Sequence, residues 1–202
     1  MPRIVLAMIA AVVVHATVAP VYAGDDVGVV SYTRLGQGIV FDGGPRPAPA
    51  FGFGLRGELD TFAIDVSGLN LAMAFHPVDT PRDLLAGSLL KIEVLRFLSP
   101  RSGESAYVGG GMSWGVLSLG RREAGGGSWN GSGLQGEFTV GYELARRSAV
   151  RLFVQADASA PLFVGQDQTF VYTAGTTTSV VQERRYIPSV VLSAGLGWSR
   201  VR

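Results

Sequence analysis

The sequence predicts an all-β fold, a single antiparallel eight-stranded up-and-down transmembrane β-barrel. Three observations carry this. Apolar and polar residues alternate with period two along most of the chain, at best over more than ten residues in one run. Eight such runs can be counted, an even number. The connections between them run long, short, medium, short, long, short, long, the asymmetry of a barrel with short turns at one end and long loops at the other.

The clearest stretch is Gly133 to Pro161, two runs folded back on Arg146, Arg147 and Ser148. In the first, Leu134, Phe138, Val140, Tyr142 and Leu144 alternate with Gln135, Glu137, Thr139, Gly141 and Glu143. In the second, Val150, Leu152, Val154, Ala156 and Ala158 alternate with Arg151, Phe153, Gln155, Asp157 and Ser159. Runs of this length match the roughly 9–11 residues that a tilted strand needs to cross a bilayer.

Composition limits the alternatives. The chain of 202 residues suits one domain, with 28 glycines, 16% charged residues and no cysteine. The missing cysteine excludes a disulfide scaffold or a thiolate metal site. A formal charge of +1 gives no reason to expect nucleic acid as a partner.

Residues 1–23 have the pattern of a secretory signal peptide. Arg3 supplies the n-region, Ile4 to Val14 the apolar core and Val21-Tyr22-Ala23 a small-x-small cleavage site. Cleavage removes one base from 17, leaving 16 bases against 16 acids. Residues 24–202 then form an exported, formally neutral barrel domain.

Taken in order, Val27 to Leu35 is a β-rich run with poor alternation, so its facing stays open. Gly36 to Ala50, with Gly43-Gly44-Pro45, Pro47 and Pro49, is expected to be a long loop. Phe51, Phe53, Leu55 and Leu59 mark the second strand; Phe62, Ile64 and Val66 mark the third, whose pattern blurs from Gly68 to Phe75. His76 to Asp83 is a medium loop. Leu90, Ile92 and Val94 mark the fourth strand, and Ala106 to Leu119 the fifth. Gly120 to Ser132 is a glycine-rich loop, and the long hairpin supplies strands six and seven. Val164 to Arg185 is expected to be the longest loop. Val190, Leu192, Ala194, Leu196 and Trp198 mark the eighth strand.

The facing follows from chemistry. With apolar residues inward, strands five and eight would show water mostly Gly and Ser, where soluble surfaces carry Lys and Glu. With apolar residues outward, the small residues fall in a lumen that has barely room for side chains. The apolar face therefore meets lipid. Leu152→Arg or Val140→Arg is then expected to cost more than Thr139→Arg.

Registers extend the reading. A two-residue turn at Asp60-Thr61 sets Leu59 against Phe62 and Arg56 against Asp65. A three-residue loop from Arg146 to Ser148 sets Glu143 against Arg151, and it also sets Glu137 against Asp157, a clash for Lys91 to relieve. The expected lumen charges are Arg56, Glu58, Asp65, Lys91, Glu93, Glu137, Glu143, Arg151 and Asp157, with Arg34 available for the excess of acid. Such charges require one another, so they should fill the barrel as a network. Glycines 109, 111, 115, 195 and 197 act against filling, and a water-filled cleft beside them is the open alternative.

Together the signal peptide, eight strands, loop asymmetry and charged lumen resemble the small eight-stranded outer-membrane barrels, the OmpA and OmpX-like group. The resemblance covers the whole chain after residue 23 and implies the outer membrane of a Gram-negative cell. It also implies a last-strand aromatic read by the barrel-assembly machinery. Trp198 fits that role, although Ser199-Arg200-Val201-Arg202 follows it.

Candidate sites are few. Two G-x-G-x-x-G matches, at Gly52-Gly54-Gly57 and Gly131-Gly133-Gly136, run into strands where a dinucleotide site needs a helix. His76 has no accompanying nucleophile, and one histidine without cysteine is thin support for a metal. Arg121-Arg122 and Arg184-Arg185, on expected outer loops, suit the phosphates of lipopolysaccharide, although solvated loop charge explains them equally. The expectation is a monomeric, non-enzymatic membrane protein without a cofactor, its lumen plugged and its loops contacting the outer leaflet or a partner. A narrow pore for small solutes or ions, and a lipid-modifying enzyme using His76, are the alternatives.

Overall fold

The computed structural model describes residues 28–42, 44–59, 61–74, 82–121, 129–173 and 177–199. Ten strands occur in chain order: β1 (Gly28–Phe41), β2 (Pro45–Leu59), β3 (Phe62–Ala74), β4 (Arg82–Phe97), β5 (Ser105–Arg121), β6 (Trp129–Leu144), β7 (Val150–Pro161), β8 (Gly165–Thr173), β9 (Thr177–Arg185) and β10 (Ser189–Ser199). Eight of them close into one antiparallel barrel. Each of β1 to β6 pairs with the next, β7 pairs with β10, and β10 returns to β1.

Closure fixes the tilt. Paired residues followed once round the wall run Gly38, Val191, Asp157, Thr139, Gly109, Leu95, Ala63, Glu58 and Gly28. The path leaves β1 at residue 38 and rejoins it at 28, a stagger of ten residues. With about 3.3 Å per residue and about 4.8 Å between strands, that stagger tilts the strands by roughly 40°.

The expected facing holds on both sides of the wall. Leu152 (49% exposed), Ile92, Val94, Phe138, Leu192 and Trp198 point outward, whereas Arg56, Lys91, Glu93, Glu143 and Asp157 are buried. On β1, the strand whose facing the sequence left open, Val30, Tyr32, Arg34 and Val40 face the lumen. An exterior of large apolar side chains round a charged interior suits hydrocarbon outside, since water outside would reward the opposite arrangement.

Several expectations are corrected. Residues 36–50 are mostly strand: β1 runs on to Phe41 and β2 begins at Pro45. Pro45, Pro47 and Pro49 pair with Phe41, Ile39 and Gln37 on one side, and pairing with β3 begins only at Ala50. Their missing N–H groups thus fall on the side where no pairing occurs among the described residues, and there proline is tolerated. Residues 164–185 are likewise no loop, because β8 and β9 form a nine-rung hairpin that also pairs with the end of β6 at Trp129 and Asn130. Its sequence is polar and threonine-rich, so it carries no apolar alternation to betray a strand.

Bulges explain the blurred middle. The β2–β3 register shifts between Phe51 and Phe53, and the β4–β5 register between Ser88 and Leu90. The second shift places consecutive Leu89 and Leu90 outward, so the pattern read from sequence breaks there while the strand continues. The β2–β3 turn has the expected register, with Leu59 opposite Phe62 and Arg56 opposite Asp65.

The β6–β7 register is two residues from the expected one. The connection is 145–149, with Ala145 at φ 57° and Leu144 opposite Leu152. Glu143 therefore faces Phe153, Asp157 faces Thr139, and Glu137 faces Ser159. The like-charge pairing of Glu137 with Asp157 is avoided by register.

The outward-facing strand centres yield a prediction. Leu152→Arg and Val140→Arg should each lower the unfolding free energy in lipid by about 2–4 kcal/mol. Ser102→Arg, on an exposed turn, should leave it nearly unchanged. Denaturant unfolding in vesicles reads all three.

Candidate functional site in the barrel lumen

Alternation on eight strands aims one residue in two at the lumen, and three layers follow from which residues those are. At the end where β1 begins and β10 finishes the centre is Arg56 on β2, 2% exposed. Its Nε donates to Asp65 Oδ2 at 3.1 Å and its Nη1 to Glu143 Oε2 at 2.9 Å. The rings of Tyr32, Phe97, Tyr107 and Phe153 surround the guanidinium, with centroids 5.0–5.9 Å from its carbon. These contacts supply cation–π attraction to a buried guanidinium. Tyr32 donates to Asp65 Oδ1 at 2.6 Å and Tyr107 to Gln155 Oε1 at 2.8 Å.

Arg151 and Arg146 close this layer toward the turns. Arg151 Nη1 lies 2.8 Å from Glu58 Oε1 and 3.1 Å from Glu143 Oε1. Thus Glu143 and Arg151 pair although they are not opposite one another. Arg146 stacks on Phe97 at 3.7 Å, pairs with Glu58 at 3.5 Å and donates to the Pro100 carbonyl. It ties the 145–149 turn to the 98–104 turn.

The middle layer is centred on Lys91 of β4, whose Nζ sits 2.6 Å from Asp157, 2.9 Å from Glu93 and 4.0 Å from Glu137. Arg34 takes the other oxygen of Asp157 at 2.5 Å. Thr139 Oγ1 accepts from Lys91 and lies within 2.7 Å of both Glu93 and Asp157. Glu137 accepts from Ser88, Ser113 and Ser159, hydroxyls on three other strands. Toward the opposite end the lumen turns apolar, with Val40, Ala48, Ala86, Leu117 and Ile187 packed against Phe163. A small pocket between these two layers is lined by Ser88, Gln135, Glu137, Asp157 and Ser189.

All nine lumen charges expected from sequence point inward and join one another. Arg34 pairs as anticipated. Arg146 was missed, because a residue on a turn gives no periodic signal that it folds back over the lumen. Five bases (Arg34, Arg56, Lys91, Arg146, Arg151) meet six acids (Glu58, Asp65, Glu93, Glu137, Glu143, Asp157).

The glycines face large side chains instead of the cleft that was the alternative to a filled lumen. A Cβ on Gly195 would strike the Phe153 ring, one on Gly115 the Gln135 amide, and one on Gly109 the Leu95 side chain. Gly54 under Tyr32 and Gly141 under Tyr107 repeat the arrangement, each glycine directly opposite its ring. These glycines make room for large inward side chains.

Of the expected outer basic pairs, Arg184 and Arg185 lie on β9 rather than on a loop, with Arg184 exposed, and Arg121 ends β5. Arg122 and His76 lie outside the described residues, as does the 1–23 segment. Trp198 is exposed on the outer wall one residue before β10 ends. Among the described residues no group of His, Cys, Asp and Glu has metal-site geometry.

Thr139→Arg is not the mild change its lumen position first suggested. Thr139 is fully buried among Lys91, Glu93 and Asp157, so this substitution should destabilise at least as much as Leu152→Arg. Arg56→Ala should cost about 3–5 kcal/mol by leaving buried Asp65 without its cation and Glu143 with Arg151 alone. Arg184→Ala should change little, and the same unfolding measurement compares them. Gly195→Ala should cost about 1–3 kcal/mol through overpacking. In a Phe153→Ala background that cost should shrink, because the obstructing ring is gone.

No protein-family model matches the chain, and no curated protein matches it. Solved structures do. OprG from Pseudomonas aeruginosa, an outer membrane protein, superposes with a TM-score of 0.58 at 12% identity over 89% of this chain and 99% of that one. Neisserial surface protein A gives 0.55 at 14% identity, covering 87% and 99%. The outer membrane protein AlkL gives 0.51 at 13% identity, covering 91% and 95%. The chain therefore has the fold of the small eight-stranded outer-membrane β-barrels.

Proposed function

We propose that this chain is an integral outer-membrane barrel of a Gram-negative cell that works through its outer surface and not as an enzyme or an open pore. On this reading residues 1–23 direct export and are removed, and Trp198 is the aromatic that the barrel-assembly machinery reads. The observation that carries the proposal is the lumen. Arg56, Arg151 and Lys91 each bridge carboxylates from other strands, and Arg34 pairs with Asp157, across an interior that eight strands leave just wide enough for side chains. A permeant ion would have to break pairs whose separation leaves buried charge unpaired. The apolar layer round Ile187 and Phe163 adds a second barrier toward the other mouth.

The outer strand extensions are where contact is made. Arg121 ends β5 and Arg184 and Arg185 end β9, which places these residues along the chain at the end opposite the tight turns. Guanidinium matches phosphate in two-pronged fashion, which suits lipopolysaccharide in the outer leaflet.

Planar-bilayer recording tests the lumen. The wild type should give no steady conductance, and Arg56→Ala or Lys91→Ala should introduce current. Well-defined channel events in the wild type, weakened by Glu137→Gln or Asp157→Asn, would replace the closed lumen with a cation-selective pore. The surface reading predicts that lipopolysaccharide raises the unfolding temperature of the wild type more than that of an Arg184→Ala, Arg185→Ala double variant.

A further inference from the structure

The apolar seal at the outer end of the barrel is built from residues of two kinds. Val40, Ala48, Ala86 and Leu117 come from wall strands. Phe163 and Ile187 come from 162–164 and 186–188, the two joints that connect the β8–β9 hairpin to β7 and β10. The joints lie side by side. The β7–β10 ladder ends at Ser159–Ser189, and continued in its own register it would set Gly165 opposite Glu183. The β8–β9 ladder instead begins at Gly165–Arg185, so the pairing is broken at the joints. Beyond them, among the described residues, the hairpin is tied to the wall by two rungs, Trp129–Asp167 and Asn130–Gln166, against nine within itself. The Phe163 ring rests on Gly131 and Gly133 of β6, where a Cβ would come within 3.1 Å of it, so its seat is bare backbone. A unit with strong internal pairing and few ties to its surroundings opens as a body at a lower cost than global unfolding.

Beneath the seal, two cavities of about 10 and 20 Å³ share Ala86, Gly87, Gln135 and Ser189. Each is about the size of one water molecule. The first reaches Phe163 and Ile187, and the second reaches Glu137 and Asp157. Withdrawing Phe163 and Ile187 would join them into a cup open to the outer medium.

We propose that the β8–β9 hairpin is a hinged lid, pivoting on 162–164 and 186–188, that carries Phe163 and Ile187 into and out of the outer mouth. It thereby controls whether water and small polar solutes reach the cup above Glu137. The barrel is then closed in two different ways. The inner plug is fixed, because its charges are paired between wall strands. The outer seal moves, because two of its members ride on the joints. Opening gives a blind cup and not a channel, since the layers round Lys91 and Arg56 stay closed below it. The lid goes beyond the closed-lumen reading and fails separately from it.

Ser189→Cys, with Ala86→Cys as a second reporter, places a thiol in the cup of a chain that has no cysteine. A water-soluble methanethiosulfonate reagent reads its exposure, and heat-modifiable gel mobility shows that each variant is folded. Adding Asn130→Cys and Gln166→Cys, an exposed cross-strand pair, and oxidising them pins the hairpin to β6. Pinning should slow modification in the cup at least several-fold and leave a separate Ser102→Cys control, on an exposed turn, unchanged. Phe163→Ala without the pin should speed modification several-fold. Equal rates with and without the pin would overturn the lid, as would reporters that stay unreactive in the unpinned protein. Planar-bilayer recording should show no current in either form. A current that the pin abolishes would overturn the closed lumen while leaving the lid in place.

Discussion

A guanidinium inside a barrel must be answered by carboxylates, and the answer given to Arg56 constrains much of the wall. Its two anionic partners come from β3 and β6, and its aromatic surround from β1, β4, β5 and β7. Six strands thus converge on a residue contributed by a seventh. Shifting any of them by two residues would take a ring or a carboxylate away from a charge that has no water to fall back on. The charge stabilises the fold only conditionally, but it specifies strongly which arrangement of strands is tolerated.

The same logic orders the lumen by layer. Aromatic rings need space, and the glycines opposite them provide it; Tyr32 over Gly54 and Phe153 over Gly195 are cases. The middle layer uses short hydroxyl side chains to share one lysine and one arginine among several carboxylates. Glu137, the acid farthest from Lys91, is held instead by three serines. The structure needs few cations because hydroxyl donors do part of their work.

Much of this was legible in the residues, and what was not has physical causes. Facing was readable because lipid and lumen demand opposite side chains at successive positions, as Leu152 beside Arg151 illustrates. The β2–β3 register was readable because a tight turn leaves little choice. The β6–β7 register was not, because Ala145 adopts a left-handed conformation that residue type alone does not announce. Bulges hid the continuity of β3 and β4, and the β8–β9 hairpin lacks the apolar alternation by which strands are found. Arg146 was unreadable for another reason: its role arises from two turns that are 46 residues apart in sequence meeting at the barrel's end.

Pro45, Pro47 and Pro49 have an effect beyond permitting a strand where a loop was expected. Each fixes one backbone torsion, and each withholds the donor by which a foreign strand would attach. The outer edge of β2 from Pro45 to Pro49 is consequently closed to pairing, while β1 beside it pairs with β10 as far as Val40. Where β1 gives way to β2, Asp42 is buried and pairs with Arg46 at 3.2 Å, which fastens the end of β1 to the start of β2. Three alternate prolines thus set, from within the chain, how far the sheet can grow on that side.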